Sequence, residues 1–402
     1  MSEHEYEDEV GIPKFSLAER ERRWSRVRNL MERDKIDTIF VPPHTGLFDT
    51  QQANTRYLTG LGGNHWTLAT VFPVDGEVTI FTSGDVHPEV CRRRQDWVDD
   101  VRVMTGAWGF TGSVIERLKE APNIRRLGVS GLSGNTRFPE GTTSYGTIQM
   151  LREQLPHIEL VNATPLMAEA RFVKSEEEIA FLRKGTELLE RAIDVVANEA
   201  RPGVPENEIY AHMIASLVEG GGEVPTFILW SAGQPQPPSN AYLPSRRRLR
   251  AGDAIMTELQ GRYGGCDAAG AQALFLGRAP DEYHEMFERQ QQAVRICHDR
   301  LRPGQTLGAI AADLNDMTDD RFDVRVLMHG RGMGDDSPLA VFGVRDATMA
   351  NWIIEENSAF VVKPIVWTKD RSKWVYWGDT VICTPDGAQR LGKRPPAIIE
   401  IE

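Results

Sequence analysis

Two helix-start signals of the same form head two separate strand–helix series, and this restart constrains the fold more than any other feature. Ser16-Leu17-Ala18-Glu19 and Ser175-Glu176-Glu177-Glu178 both have the S-x-x-E pattern of a capping box. After the first, Leu17, Trp24, Val27, Leu30 and Met31 recur at helical spacing and predict a helix to about Asp34. Short apolar strands follow at 37–41, 67–72, 78–81, 127–129 and 158–161, with Asp75-Gly76 as a hairpin turn. Helical stretches near 112–120 and 142–154 lie between them, so this half reads as α/β with a mixed sheet. After the second signal, Ile179, Leu182, Leu188, Leu189, Ile193 and Val196 predict a long helix that ends before Arg201-Pro202-Gly203. A further helix runs from about Pro205 to Glu219. Strands at 225–231, 254–260 and 271–276, helices at 281–301 and 307–318, and short strands with turns complete the chain. The two series meet near 162–173.

The 402 residues are 41% hydrophobic and 26% charged, enough for two cores. No run of about 18 apolar residues occurs, so no membrane-spanning helix is expected. A net charge of −12 opposes phosphate backbones and anionic lipid, which argues against nucleic acid and membrane as partners. The acidic start MSEHEYEDEV lacks the pattern of a signal peptide. Cys91, Cys266, Cys297 and Cys383 match no C-x-x-C spacing. A cytoplasmic, reduced, disulfide-free protein is expected.

Several segments, in order along nearly the whole chain, resemble the creatinase/aminopeptidase P/prolidase (peptidase M24) family. Arg56-Tyr57-Leu58-Thr59-Gly60 resembles its Y-L-T-G signal, and Arg171-Phe172-Val173-Lys174-Ser175 with Glu178-Ile179 resembles its R-x-I-K-S-x-x-E-I segment. Gly252-Asp253 with Glu258-Leu259, His329-Gly330-Arg331-Gly332, Gly378-Asp379-Thr380-Val381 and Pro385-Asp386-Gly387-Ala388 resemble its later motifs. The resemblance implies an α+β architecture: a tail at 1–14, a mixed α/β creatinase-like domain at 15–168, and a pita-bread domain of antiparallel sheet covered by helices at 169–402.

Most members of that family hold two divalent metals through two Asp, one His and two Glu. At the matching positions this chain carries Glu258, Ala269, Met333, Lys363 and Gly378. One oxygen donor remains, and a lysine cation opposes a dication. The resemblance therefore implies no metal and no cofactor. A slipped site built from Glu258, Asp267, Asp336 and His329 is the alternative. Thr257-Glu258-Leu259-Gln260-Gly261 resembles the F-E-I-x-G segment of metal-independent ectoine hydrolases.

Glu258 and Lys363 each interrupt an apolar run, where a charge is costly unless partnered. They read either as an acid–base pair or as a structural salt bridge. His329 is flanked by Val326-Leu327-Met328 and by glycines; it is a catalytic candidate or a satisfied core histidine. Asp335 and Asp336 are substrate-binding candidates or turn aspartates. Asn240 stands where relatives present an active-site histidine, and it does not exchange protons at neutral pH. Trp230 is a pocket wall or core. His65 and Trp66 follow the Y-L-T-G signal, in a loop that enters the neighbouring subunit's site in dimeric relatives; a homodimer is implied. Arg246-Arg247-Arg248 reads as a solvated face.

The expectation is thus a metal-independent hydrolase of a C–N bond in a small nitrogenous, non-peptide substrate (amide, amidine or cyclic amidine), similar to creatinase and ectoine hydrolase. Glu258 is its base or nucleophile, Lys363 its electrostatic partner and His329 its proton carrier. The alternatives are an Xaa-Pro aminopeptidase or dipeptidase with a rebuilt metal site, and a non-catalytic pita-bread binding module.

Overall fold

A computed structural model describes residues 11, 13–43, 52–62, 67–85, 87–105, 109–121, 123–134, 139–225, 228–239, 243–344 and 346–402. The chain divides into two compact units. The first runs to Phe172 and includes Met333–Asp335; the second comprises Val173–Gly332 and Asp336–Glu402. The division falls between Phe172 and Val173.

In the first unit, Ser16 caps the helix Leu17–Asp34 by accepting from the Glu19 backbone N–H at 3.1 Å. The Glu19 carboxylate meanwhile holds Arg22 and Arg23. Six strands form one sheet in the order Asp100–Val103, Thr79–Thr82, Ala69–Pro73, Thr38–Val41, Arg126–Val129, Glu159–Asn162. Ala69–Pro73 is antiparallel to both its neighbours and the other pairings are parallel, so the sheet is mixed, as the alternation predicts. The core gathers Phe40, Val71, Phe81, Val114, Leu127, Val129 and Leu151. The Y-L-T-G segment lies on a buried helix, Ala53–Thr59, where the Tyr57 hydroxyl donates to the Ala170 carbonyl at 2.9 Å. That helix and His87–Arg94 were not read from the sequence.

In the second unit, a full capping box starts the helix Glu176–Glu199. Its apolar face lies on a long hairpin, Ala254–Tyr263 with Cys266–Leu276, whose 21 residues are all buried. Helix and hairpin meet backbone to backbone. A Cβ on Gly261 would come 1.9 Å from the Gly185 carbonyl oxygen, so glycine is required there. Leu229–Gly233 and Ile399–Ile401 complete this four-stranded sheet. A five-stranded sheet runs Asp335–Val341, Leu327–Arg331, Ala359–Val362, Asp379–Thr384, Gly387–Arg390. Bridges Asp267↔Gly332 and Ala271↔Gly378 tie it to the hairpin. The strand expected at 225–231 lies at Leu229–Gly233. No helix among the described residues is long and apolar enough to cross a membrane.

Candidate active site

Register decides which side chains of the second unit meet. His329 pairs with Val361, and the Lys363 N–H donates to the Leu327 carbonyl at 3.0 Å. With the two-residue period of a strand, His329, Arg331 and Lys363 therefore share one face. Val361 also pairs with Thr380, whose hydroxyl donates to the Ala269 carbonyl and accepts from its N–H, both at 2.9 Å. That face thus looks onto the hairpin strand Cys266–Leu276.

Two ion pairs are buried there, and a third lies beside Gly332. The Lys363 ammonium donates to the Glu258 carboxylate; the two residues are 1% and 5% exposed. Arg331 Nη2 lies 2.8 Å from Asp267 Oδ2, and Arg331 Nε donates to the Asp267 carbonyl at 2.8 Å. Lys174 Nζ donates to Asp336 Oδ2 at 3.0 Å. Each carboxylate has a cation as its neighbour, which offsets the desolvation that either charge would suffer alone. His329, 1% exposed, shares this face, and its register position lies between those of Lys363 and Arg331.

The residues named from the sequence are distributed as follows. Glu258, Lys363, His329 and Asp336 belong to the second unit and are buried. Asp335 is buried too but groups with the first unit. Trp230 pairs with Thr257, whereas Leu229 pairs with Glu258, so the indole takes the opposite face of the sheet from the carboxylate. Its Nε1–H donates to Glu206 at 3.1 Å and its ring is fully buried. His65, Trp66 and Asn240 lie outside the described residues. The solvated face expected for the arginine run needs correction at Arg247, which holds Glu206 at 3.1 Å and Asp253 at 2.7 Å.

Arg331 and Lys174 were not singled out as site residues. Arg331 was legible in principle, since it stands two residues after His329 and so shares its face. Lys174 carried no such signal, because its partner is 162 residues away.

Comparison with known proteins adds kinship. Residues 180–385 match the description "Metallopeptidase family M24" and residues 23–173 match "Creatinase/Prolidase N-terminal domain". A Mycobacterium tuberculosis protein named "Probable dipeptidase PepE" is 27% identical over 252 residues, 60% of this chain and 64% of that protein. The match thus spans less than two thirds of that relative. The Xaa-Pro dipeptidase of Pyrococcus furiosus is 20% identical over 92% of this chain and 97% of its own. The solved Xaa-Pro dipeptidase from Bacillus anthracis superposes with a TM-score of 0.77 at 18% identity, covering 95% of this chain and 100% of that one; at that identity the likeness concerns the fold. These matches establish the expected architecture, a creatinase-type N-terminal domain followed by a pita-bread domain.

They also overturn the expected function. A creatinase-like, metal-independent hydrolase of a non-peptide amide or amidine does not fit relatives that bear dipeptidase names. Creatinase of a Bacillus species, 24% identical over 315 residues, is one relative among these peptidases.

Kinship with metallopeptidases implies divalent ions. The donor set at the five marked positions does not fit a metal pair: Glu258, Ala269, Met333, Lys363 and Gly378 offer one carboxylate, a methyl, a thioether, an ammonium and no side chain. The slipped set does not assemble either. Glu258, Asp267 and Asp336 each face a different cation, and no group of three or more His, Cys, Asp or Glu suited to a metal ion occurs among the described residues.

Proposed function

Since this chain belongs to metallopeptidase family M24 and carries its creatinase/prolidase-type N-terminal domain, we propose that it is a hydrolase of the C–N bond in short peptides, with Xaa-Pro dipeptides as the first class to test. The observation that carries this reading is the buried Glu258–Lys363 pair of the pita-bread unit, with His329 on the same sheet face as Lys363. Glu258 holds a water and accepts its proton. The Lys363 ammonium stabilises negative charge on the carbonyl oxygen. His329 returns a proton to the departing nitrogen.

The test is an assay of Xaa-Pro and other dipeptides, run with chelator and with added Mn²⁺, for the native protein and Glu258→Gln. Turnover that falls about 10²- to 10⁴-fold in the variant supports the reading. Absence of turnover in every arm, or full activity in the variant, defeats it. A second reading is favoured by the four marked positions that lack an oxygen donor. It is a pita-bread module that binds a short peptide without cleaving it, and it is recognised by binding without turnover in the same experiment.

A homodimer and a cytoplasmic location belong to the same proposal. The four buried, unbridged cysteines support a reducing compartment. A monomeric mass at micromolar concentration would remove the dimer from the proposal.

A further inference from the structure

We infer that the Lys363 ammonium stands on Glu258 where a divalent cation would otherwise sit, and that Gly378 is the residue that admits it. Three observations converge. First, the two side chains form a buried ion pair between positions that both match metal-ligand positions of the family. Second, residue 378 has no room for a side chain. A Cβ there would lie 2.3 Å from Lys363 Cβ, 2.7 Å from Lys363 Cα and 2.5 Å from the Val362 carbonyl oxygen. Any larger residue at 378 has to push aside the segment that carries the lysine. Lysine at 363 and glycine at 378 are therefore one matched change. A carboxylate cannot return to 378 on this backbone. Third, the other carboxylates of the alternative donor set, Asp267 and Asp336, are held by Arg331 and Lys174. Each of the three carboxylates thus has a cation of its own. A dication approaching Glu258 meets the Lys363 ammonium, where a metal centre would present an excess of anionic oxygen.

What sits on Glu258 is a separate question from whether a peptide is cleaved, and the experiment is read without turnover. The full chain is dialysed against Mn²⁺ or Zn²⁺ and washed. Bound metal is then measured by plasma mass spectrometry, and the melting temperature is recorded with and without chelator. The expected result is no stoichiometric metal and no chelator effect. Metal retained by the native protein and lost in Glu258→Gln overturns the inference.

Lys363→Met supplies the converse. It should melt at lower temperature and recover part of that loss when Mn²⁺ is added, because a mobile cation then replaces the fixed one. A variant as stable as the native protein, or one that Mn²⁺ leaves unchanged, contradicts the inference. Should Lys363→Met fail to fold, the double variant Glu258→Gln/Lys363→Met decides. A folded double variant supports the ammonium's role in neutralising Glu258, and an unfolded one opposes it.

Discussion

Glu258 and Asp379 are both buried acids of the second unit, yet they are held in opposite ways. Glu258 rests on one flexible ammonium, that of Lys363. Asp379, 1% exposed, sits in a web of rigid donors: Arg390 reaches it at 2.9 and 3.2 Å and the Thr380 N–H donates at 2.8 Å. Burial pushes the Asp379 carboxyl up, and Arg394 and Arg390 pull it back. Arg390 and Arg394 lie 4.8 and 5.0 Å from the Trp377 ring, and Arg394 also donates to the Gly378 carbonyl at 3.1 Å. Guanidinium forks and a stacked indole fix geometry at several points, whereas an ammonium acts as one point charge. The difference teaches that the web around Asp379 holds the backbone of Gly378 in place through several donors, while Glu258 depends on a single cation, so that one substitution at Lys363 leaves it uncompensated.

The largest effect should come from Lys363→Met, which leaves Glu258 buried without its cation. A loss of about 3–5 kcal/mol in urea unfolding is expected. A loss below about 1 kcal/mol would mean that Glu258 reaches solvent, and the contrast would break.

Arg394→Gln should cost about 2–3 kcal/mol, since it removes a charged donor from the carbonyls of Ala271 and Gly378. Its sharper consequence is local. Gly378 and the adjoining Lys363 should lose protection in hydrogen exchange, while the N-terminal sheet stays unchanged.

The smallest effect is one of pH, at the edge of the Asp379 web. Burial, with Arg390 beside it, pulls His298 down to about 4 from an ordinary 6.5. Above pH 6.5 both folded and unfolded chains hold it neutral. As pH falls from 6.5 toward 4 the unfolded chain takes up the proton first, so stability drops by roughly 2 kcal/mol across that window. His298→Gln should flatten that slope in unfolding measured at several pH values. An unchanged slope would place the titration elsewhere.

Much of this fold is legible in the residues themselves. The capping signals at Ser16 and Ser175 start helices, and Asp75-Gly76 turns between two strands. The short helix Ala53–Thr59 escapes because tertiary burial, not an amphipathic period, makes it, every one of its residues being buried, and His87–Arg94 escapes because only Pro88 and Cys91 are buried, too few to show a period. At the site, Glu258 and Lys363 announce themselves as charges inside apolar runs. Trp230 could not be placed the same way. Its face depends on the register of Leu229–Gly233 against the hairpin, and a slip of one residue would have turned it toward Glu258. Asp336 and Lys174 are joined across 162 residues, which only the folded chain reveals.

The central claim, that this centre is built on a coupled Glu258–Lys363 pair, is tested most directly by a double-mutant cycle. Urea unfolding of the native chain, Glu258→Gln, Lys363→Met and the double variant yields the coupling energy. A coupling of about 2 kcal/mol or more, with the double variant more stable than Lys363→Met alone, is the expected result. Additive losses, within about 0.5 kcal/mol, would contradict it.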